Sequence, residues 1–274
     1  MVISRKLKVG SLQEDAAAIK EMLGFAEETA TKVRKIALDW FRHPLNIDTK
    51  ADESPVTIAD RSVEQAVRQA IKTRFPEHGI LGEEYGTSHA DAEFVWSIDP
   101  IDGTRSFISG SPLWGLLLAL LHRGKPVLGI IDIPCTSERW VGAHERACTF
   151  SGEPCHTSRT ESLDKAILYT TTPDIFQGAE TEAFERLSRA AYLRRFGGDC
   201  YNYGLLASGH IDLVMEAGLQ PYDYLAMAPV IEQAGGVITD WSGRALTMHS
   251  GGQVLASANP HLHARALALI NAGG

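Results

Sequence analysis

The segment WSIDPIDGTRSF, residues 96–107, places the tightest constraint on the fold, because an apolar run ends there on two aspartates three residues apart. A strand that buries Trp96 and Ile98 must deliver Asp99 and Asp102 to its end, while Pro100 and Gly103 turn the chain. Asp-Pro and Asp-Gly pairs are common turn formers. Taken alone, the stretch admits two readings: a solvated turn, or two carboxylates that share a cation.

Other apolar runs repeat the arrangement. The pattern predicts strands at 79–82 (GILG), 94–98 (FVWSI), 113–122 (LWGLLLALLH) and 126–133 (PVLGIIDI), each bounded by Gly, Pro or Asp. Glu83 and Glu84 follow the first run directly, Asp60 precedes a helix in PVTIAD, and Asp223 stands where a helix opens in QPYDYLAMAPVIEQAGG. Surface carboxylates usually scatter over polar helix faces. These gather at strand ends beside glycines, where the fold can converge them and where their repulsion is costly without hard cations. Such oxygen donors suit Mg²⁺, which keeps several waters and completes its shell with substrate phosphate. Carboxylates from several segments point to more than one ion, an arrangement that activates a water and stabilises a leaving oxygen. Gly103 and Thr104 would then offer backbone N–H groups to phosphate.

Competing motifs are missing. An EF-hand loop beginning at Asp99 needs an acidic fifth position and Glu at the twelfth, which hold Gly103 and Gly110. There is no GxxxxGK[ST], GxSxG or HExxH. A glycosidase carboxylate pair is compatible with the composition but leaves the further acidic groups beside glycine turns unexplained. A net charge of −8 argues against nucleic acid as the main partner. The longest apolar run, Leu113–Leu121, falls well short of the roughly 20 residues that span a bilayer. Four cysteines (Cys135, Cys148, Cys155, Cys200) without CxxC spacing read as scattered reduced thiols. With an N-terminus that turns acidic too early for a signal peptide, a cytoplasmic protein is expected.

Along the chain, residues 11–42 predict one long helix, or a pair broken near Gly24. Residues 48–60 read as a loop, and 61–75 as a helix capped by Ser62 and Gln65. ERWVGAHE and ACTFSGEP predict a strand meander turning at Ser151-Gly152. After about residue 160, strands and helices alternate: AILYTTT, AETEAFERLSRAA, YLRRFG, CYNYGLLASG, HIDLVME, DYLAMAPVIEQAGG, VITDW and a final helix near PHLHARALALINA. That texture predicts a layered α/β fold with a change near residues 150–160. An N-terminal α+β half, 1–155, would carry most metal ligands, and a C-terminal α/β half, 156–274, the substrate-selecting residues and Asp223.

GEE, then DPIDGT, then a late Asp opening a helix that ends in AGG, in this order between about Asp48 and Trp241, resemble the inositol monophosphatase family. The resemblance implies an α-β-α-β-α sandwich, a homodimer, two or three Mg²⁺ ions and a small phosphorylated substrate. By motif it implies metal ligation by Glu83, Asp99, Asp102, Asp223 and the Ile101 carbonyl. It implies handling of the attacking water by Asp60, Thr104 and Glu83, phosphate contacts from Gly103 and Thr104, and a supporting place for Glu84. Inositol-type members carry Trp before the late aspartate, where this chain has Tyr222. RRFGGDCYNYGLLASGHIDLVMEAGLQPYD is more similar to the histidinol-phosphate phosphatase branch, with Asp199 and Glu216 as contacts for a cationic substrate. Hydrolysis of L-histidinol phosphate, a step of histidine biosynthesis, is the expected activity. Inositol or other sugar-alcohol or nucleotide phosphates are the alternative, and a non-catalytic metal-binding regulator is a third.

Plainer roles stand beside these. Asp199 is placed to cap a helix opening at Cys200, Glu216 to sit at an exposed strand end, and Asp223 to cap its helix. His261 and His263 read as solvent residues flanking the last helix and Tyr201/Tyr203 as packing, while the sequence assigns no role to Arg194 and Arg195.

Overall fold

The computed structural model describes residues 9–44, 47–49 and 55–272. Helix α1, Val9–Trp40, is continuous, so the break considered near Gly24 does not occur. An interior glycine costs about 1 kcal/mol relative to alanine, and α1 bears it because Met22, Leu23, Ala26, Ala30 and Val33 bury one stripe. The region read as a loop contains two short paired strands, β1 (Ile47–Thr49) and β2 (Pro55–Thr57), and the remainder of that reading, 50–54, lies outside the described residues. Helix α2 is Ile58–Arg74 and starts earlier than the sequence reading placed it. Its capping box is Thr57 with Asp60; Ser62 instead donates its hydroxyl to the Ile58 carbonyl at 2.6 Å, which corrects the Ser62/Gln65 cap.

The first sheet has eight strands. They are β3 (Gly79–Gly82), β4 (Gly86–Ser88), β5 (Phe94–Asp102), β6 (Gly115–His122), β7 (Lys125–Ile133), β8 (Glu138–Ala143), β9 (Arg146–Phe150) and β10 (Glu153–Pro154). They are ordered β10-β9-β8-β7-β6-β5-β3-β4, with only β3/β5 parallel. Helix α3, Thr104–Ser109, follows β5 directly. The second sheet has order β12-β11-β13-β15-β14, from β11 (Ile167–Thr170), β12 (Leu193–Phe196), β13 (Leu213–Glu216), β14 (Val237–Thr239) and β15 (Val254–Ser257). The sequence reading missed β15, a run of four residues with no aromatic, although it sits inside the sheet between β13 and β14.

Five layers result. Helices α1 and α2 cover one face of the eight-stranded sheet, where Leu116, Leu118 and Leu120 meet Trp96, Ile98 and Val67. On the opposite face Leu117, Ala119 and Leu121 join a second core with α5 (Tyr201–Ala207), α6 (Pro221–Tyr224) and α7 (Met227–Gln233). Strand side chains alternate between faces, and β6 reads as an unbroken apolar run because both of its faces are buried. Val214, Val254 and Ala256 complete that middle core from the second sheet. Its outer face packs Leu168, Leu213 and Leu255 against α4 (Ala179–Ala190) and α8 (Pro260–Ile270). This is the expected α-β-α-β-α sandwich.

Two details depart from expectation. His263 is buried, not solvated: its ring nitrogens lie 2.9 Å from Thr239 Oγ1 and 2.9 Å from Ser257 Oγ, and burial pushes its pKa down to about 4. The thiols are not all scattered either, since Cys148 and Cys155 face each other with sulfurs 3.5 Å apart.

Candidate active site

Residues three apart in a regular strand face opposite sides, so Asp99 and Asp102 need a local device to converge. Asp99 opposes Leu117 and Asp102 opposes Gly115, so three steps on β5 match two on β6. The extra residue is a bulge, which re-aims side chains at the end of a strand. Asp223 arrives from α6, and one carboxylate oxygen from each of Asp99, Asp102 and Asp223 lies within 4.8 Å of the other two. Each carboxylate is also steered by a backbone amide. Asp99 Oδ1 accepts from the Ile101 N–H at 3.1 Å, Asp102 Oδ2 from Cys200 at 2.6 Å and Asp223 Oδ2 from Gln220 at 2.7 Å. Asp223 therefore caps its helix and also reaches the cluster.

Burial pushes Asp99 well above the usual carboxylate range, and repulsion from Glu83, Asp102 and Asp223 adds to it. Asp102 is raised in the same way, by burial and then by Asp199 and Asp223. Glu83, on the turn after β3, thus sits beside the trio. Hard oxygen donors held this close are stable only with protons or a hard cation between them. An all-carboxylate set matches the oxygen preference of Mg²⁺ rather than that of a thiophilic metal.

Asp60, fully buried, is held by Thr57: its Oδ2 accepts the Thr57 N–H at 2.9 Å and the Thr57 hydroxyl at 2.6 Å. Its Oδ1 faces Thr104 Oγ1 at 3.3 Å, and that hydroxyl also lies 3.1 Å from the Ile101 carbonyl. Burial raises the Asp60 carboxyl, with repulsion from Glu83 contributing. Gly103 adopts φ +82°, which turns the chain from β5 into α3. A Cβ at this position would come 2.8 Å from Asp199 Oδ2.

Asp199 does not cap α5. The cap residue there is Cys200, with no side-chain cap bond, and the Asp199 carboxylate instead accepts the Ser106 hydroxyl at 2.6 Å. Asp199 occupies the left-handed region at φ +45°, which aims it back over α3. Glu216 is not an exposed strand end: it is 2% exposed and accepts the Thr171 N–H at 2.7 Å and hydroxyl at 3.0 Å. Burial pushes its pKa up to about 8, and Asp199 contributes repulsion. Arg194 and Arg195 lie on exposed β12, with Arg194 donating to Ser188 at 2.7 Å. Sequence reasoning missed the partners Thr57, Ser106 and Thr171; only the first carried a signal, the T-x-x-D spacing of a capping box. A cavity of about 740 Å³ lined by Leu23, His122, Lys125 and Arg146 lies toward the far end of β6 from this cluster. No helix among the described residues is long and apolar enough to cross a membrane.

Known proteins resemble this chain in sequence and fold. The family model described as the inositol monophosphatase family matches residues 18–273. The Arabidopsis thaliana bifunctional phosphatase IMPL2, chloroplastic, is 44% identical over 85% of this chain, which spans 66% of that relative's length. A histidinol-phosphatase of Chlorobaculum parvum is 35% identical over 92% of this chain and 97% of its own. The solved structure of an inositol monophosphatase from Zymomonas mobilis superposes with a TM-score of 0.86 at 44% identity, covering 92% of this chain and 98% of that one. Together with the converging carboxylates and the five-layered fold, these similarities place the chain in the inositol monophosphatase family of phosphatases.

Proposed function

We propose that this chain is a Mg²⁺-dependent phosphomonoesterase that hydrolyses L-histidinol phosphate to L-histidinol and phosphate. The observation that carries the substrate is a second acidic pair on the Asp102 side of the cluster, half-buried Asp199, which repels Asp102, and buried Glu216, which Asp199 repels in turn. A polyol needs no such charge, whereas the ammonium of histidinol favours the ionised form of both carboxyls as it binds and meets them in charge-assisted hydrogen bonds. The Chlorobaculum relative supports this reading by its name, and the Zymomonas structure supports inositol phosphate as the alternative.

Glu83, Asp99, Asp102, Asp223 and the Ile101 carbonyl would hold the metal. Bound Mg²⁺ supplies Lewis acidity and an acidified water for in-line attack. Asp60 is locked by Thr57 with one oxygen toward Thr104. The water's proton passes to Thr104 Oγ1 as that hydroxyl gives its own to Asp60, whose raised pKa favours taking it. Gly103 and Thr104 present backbone amides to the phosphate, and Glu84 supports the turn that carries Glu83.

Phosphate release with Mg²⁺ on histidinol phosphate, inositol 1-phosphate and a nucleotide 3′-phosphate tests the reading, and the first is expected to lead in kcat/KM. A tenfold preference for inositol phosphate, about 1.4 kcal/mol, would overturn it. A metal-bound protein without turnover on any of the three would be a binding protein instead.

Glu216 yields a separate prediction. Its folded pKa of about 8 exceeds the ordinary 4.5, so between those values the folded form binds more protons than the unfolded form. Stability therefore falls as pH rises through that window. Glu216→Gln, without substrate or metal, should lose less melting temperature between pH 6 and pH 9 than the parent. Parallel melting curves against pH would refute the buried, proton-holding carboxyl.

A further inference from the structure

The ion pair of Glu64 and Arg68 on α2 lies outside the carboxylate cluster, yet it is fastened to the turn that carries Glu83. Glu64 is fully buried and receives the Arg68 guanidinium at 2.6 Å. Its carboxylate also accepts two backbone amides of the turn, Glu84 N–H at 2.6 Å and Tyr85 N–H at 3.2 Å. Arg68 continues the contact by donating to the Gly86 carbonyl. The pair thus grips three consecutive residues immediately after Glu83, while Glu83 N–H itself bonds the Ile98 carbonyl at 3.2 Å on the strand leading to Asp99. Gly82 shows how closely this is built: a Cβ there would stand 2.0 Å from Glu64 Oε1 and 2.6 Å from Arg68 Nη2. A glycine before the two glutamates is therefore required by the approach of the carboxylate.

A buried charge pair is a poor source of net stability, because desolvation offsets much of the attraction. Its value here is geometric, since a carboxylate with two amides and a guanidinium has one orientation. We propose that Glu64, backed by Arg68, is a positioning residue that fixes the Glu83 turn against Asp99 and so sets divalent-cation affinity, without itself touching the ion. The inference rests on the reading of Glu83 as a metal ligand.

The test is Mn²⁺ binding to the metal-free protein, followed by electron paramagnetic resonance, alongside melting temperature and phosphate release against Mg²⁺ concentration. Glu64→Gln keeps the size and one acceptor oxygen but loses the charge. It is expected to weaken Mn²⁺ binding at least tenfold and to raise the Mg²⁺ concentration for half-maximal activity in parallel, with kcat at saturating Mg²⁺ within about threefold of the parent, the modest cost of a positional defect that excess metal offsets. Arg68→Lys keeps the charge and loses the fork to Gly86, so a smaller shift in the same direction is expected, and it remains informative if Glu64→Gln does not fold. A folded Glu64→Gln with a lower melting temperature but parental Mn²⁺ affinity would overturn the proposal, as would parental affinity in Arg68→Lys where Glu64→Gln fails to fold. Glu83→Gln separates the two layers: parental Mn²⁺ binding there would overturn the ligand reading and this inference together. A loss in Glu83→Gln without one in Glu64→Gln would overturn the inference alone.

Discussion

Asp99→Asn is expected to lower kcat/KM on every phosphate ester at least a thousandfold, roughly 4 kcal/mol of transition-state stabilisation, while making the metal-free protein more stable. Both signs follow from one environment. Asp99 is buried, and its carboxyl is forced upward by burial and by Glu83, Asp102 and Asp223. An ionised aspartate there is a cost that only a cation offsets. The amide of asparagine keeps the shape and an oxygen for the Ile101 N–H, so the 3.1 Å contact survives. It removes the charge that repels its neighbours. The parent should therefore gain much more melting temperature from millimolar Mg²⁺ than the variant does, because ligand stabilisation grows with the logarithm of concentration over dissociation constant. Malachite-green phosphate release and scanning calorimetry with and without Mg²⁺ check the two halves. A variant that retains a tenth of parental turnover at saturating Mg²⁺ would refute the ligand role of Asp99.

Where local chemistry decided the outcome, the chain was legible. The strand ends that carry Glu83, Asp99 and Asp102 follow from apolar runs stopped by Gly, Pro and Asp, and a layered α/β architecture follows from their alternation with helices, whereas the number of layers is implied only by the family resemblance. What the sequence concealed were contacts between distant segments. The bulge that turns Asp102 toward Asp99 is visible only as a register shift against β6. His263 reads as a polar residue at the start of a helix, but Thr239 and Ser257 come from two strands and enclose it. Asp199 before a helix obeys the preference of an N-cap, yet Ser106, from a segment 93 residues away, takes its carboxylate. The start of α2 is written in the sequence twice over: Thr57 and Asp60 carry the same spacing as Ser62 and Gln65, and the fold uses the first pair, so the helix begins inside the stretch that reads as a loop.

Asp199 also gives the sharpest test of substrate. The obvious variant, Asp199→Ala, removes the carboxylate but leaves alanine at φ +45°, a conformation costing roughly 1–2 kcal/mol for a residue with Cβ. Asparagine tolerates that region far better and still offers an oxygen to the Ser106 hydroxyl. Asp199→Asn therefore isolates charge from backbone. A charge-assisted hydrogen bond contributes about 1.5–3 kcal/mol, so kcat/KM for histidinol phosphate should fall roughly 10- to 150-fold, whereas an aryl phosphate, which has no cationic group, should stay within about threefold. Part of that loss on the aryl ester is offset, because Asp199 repels Asp102 and its neutralisation relieves the cluster. The charge reading also sets a pattern across variants. Histidinol phosphate should discriminate against asparagine and alanine alike, while the aryl phosphate should be slowed only by alanine, through backbone strain. Equal losses on both substrates in Asp199→Asn would make the residue a structural tie between α3 and the segment before α5, and substrate selection would have to be sought at Glu216 alone.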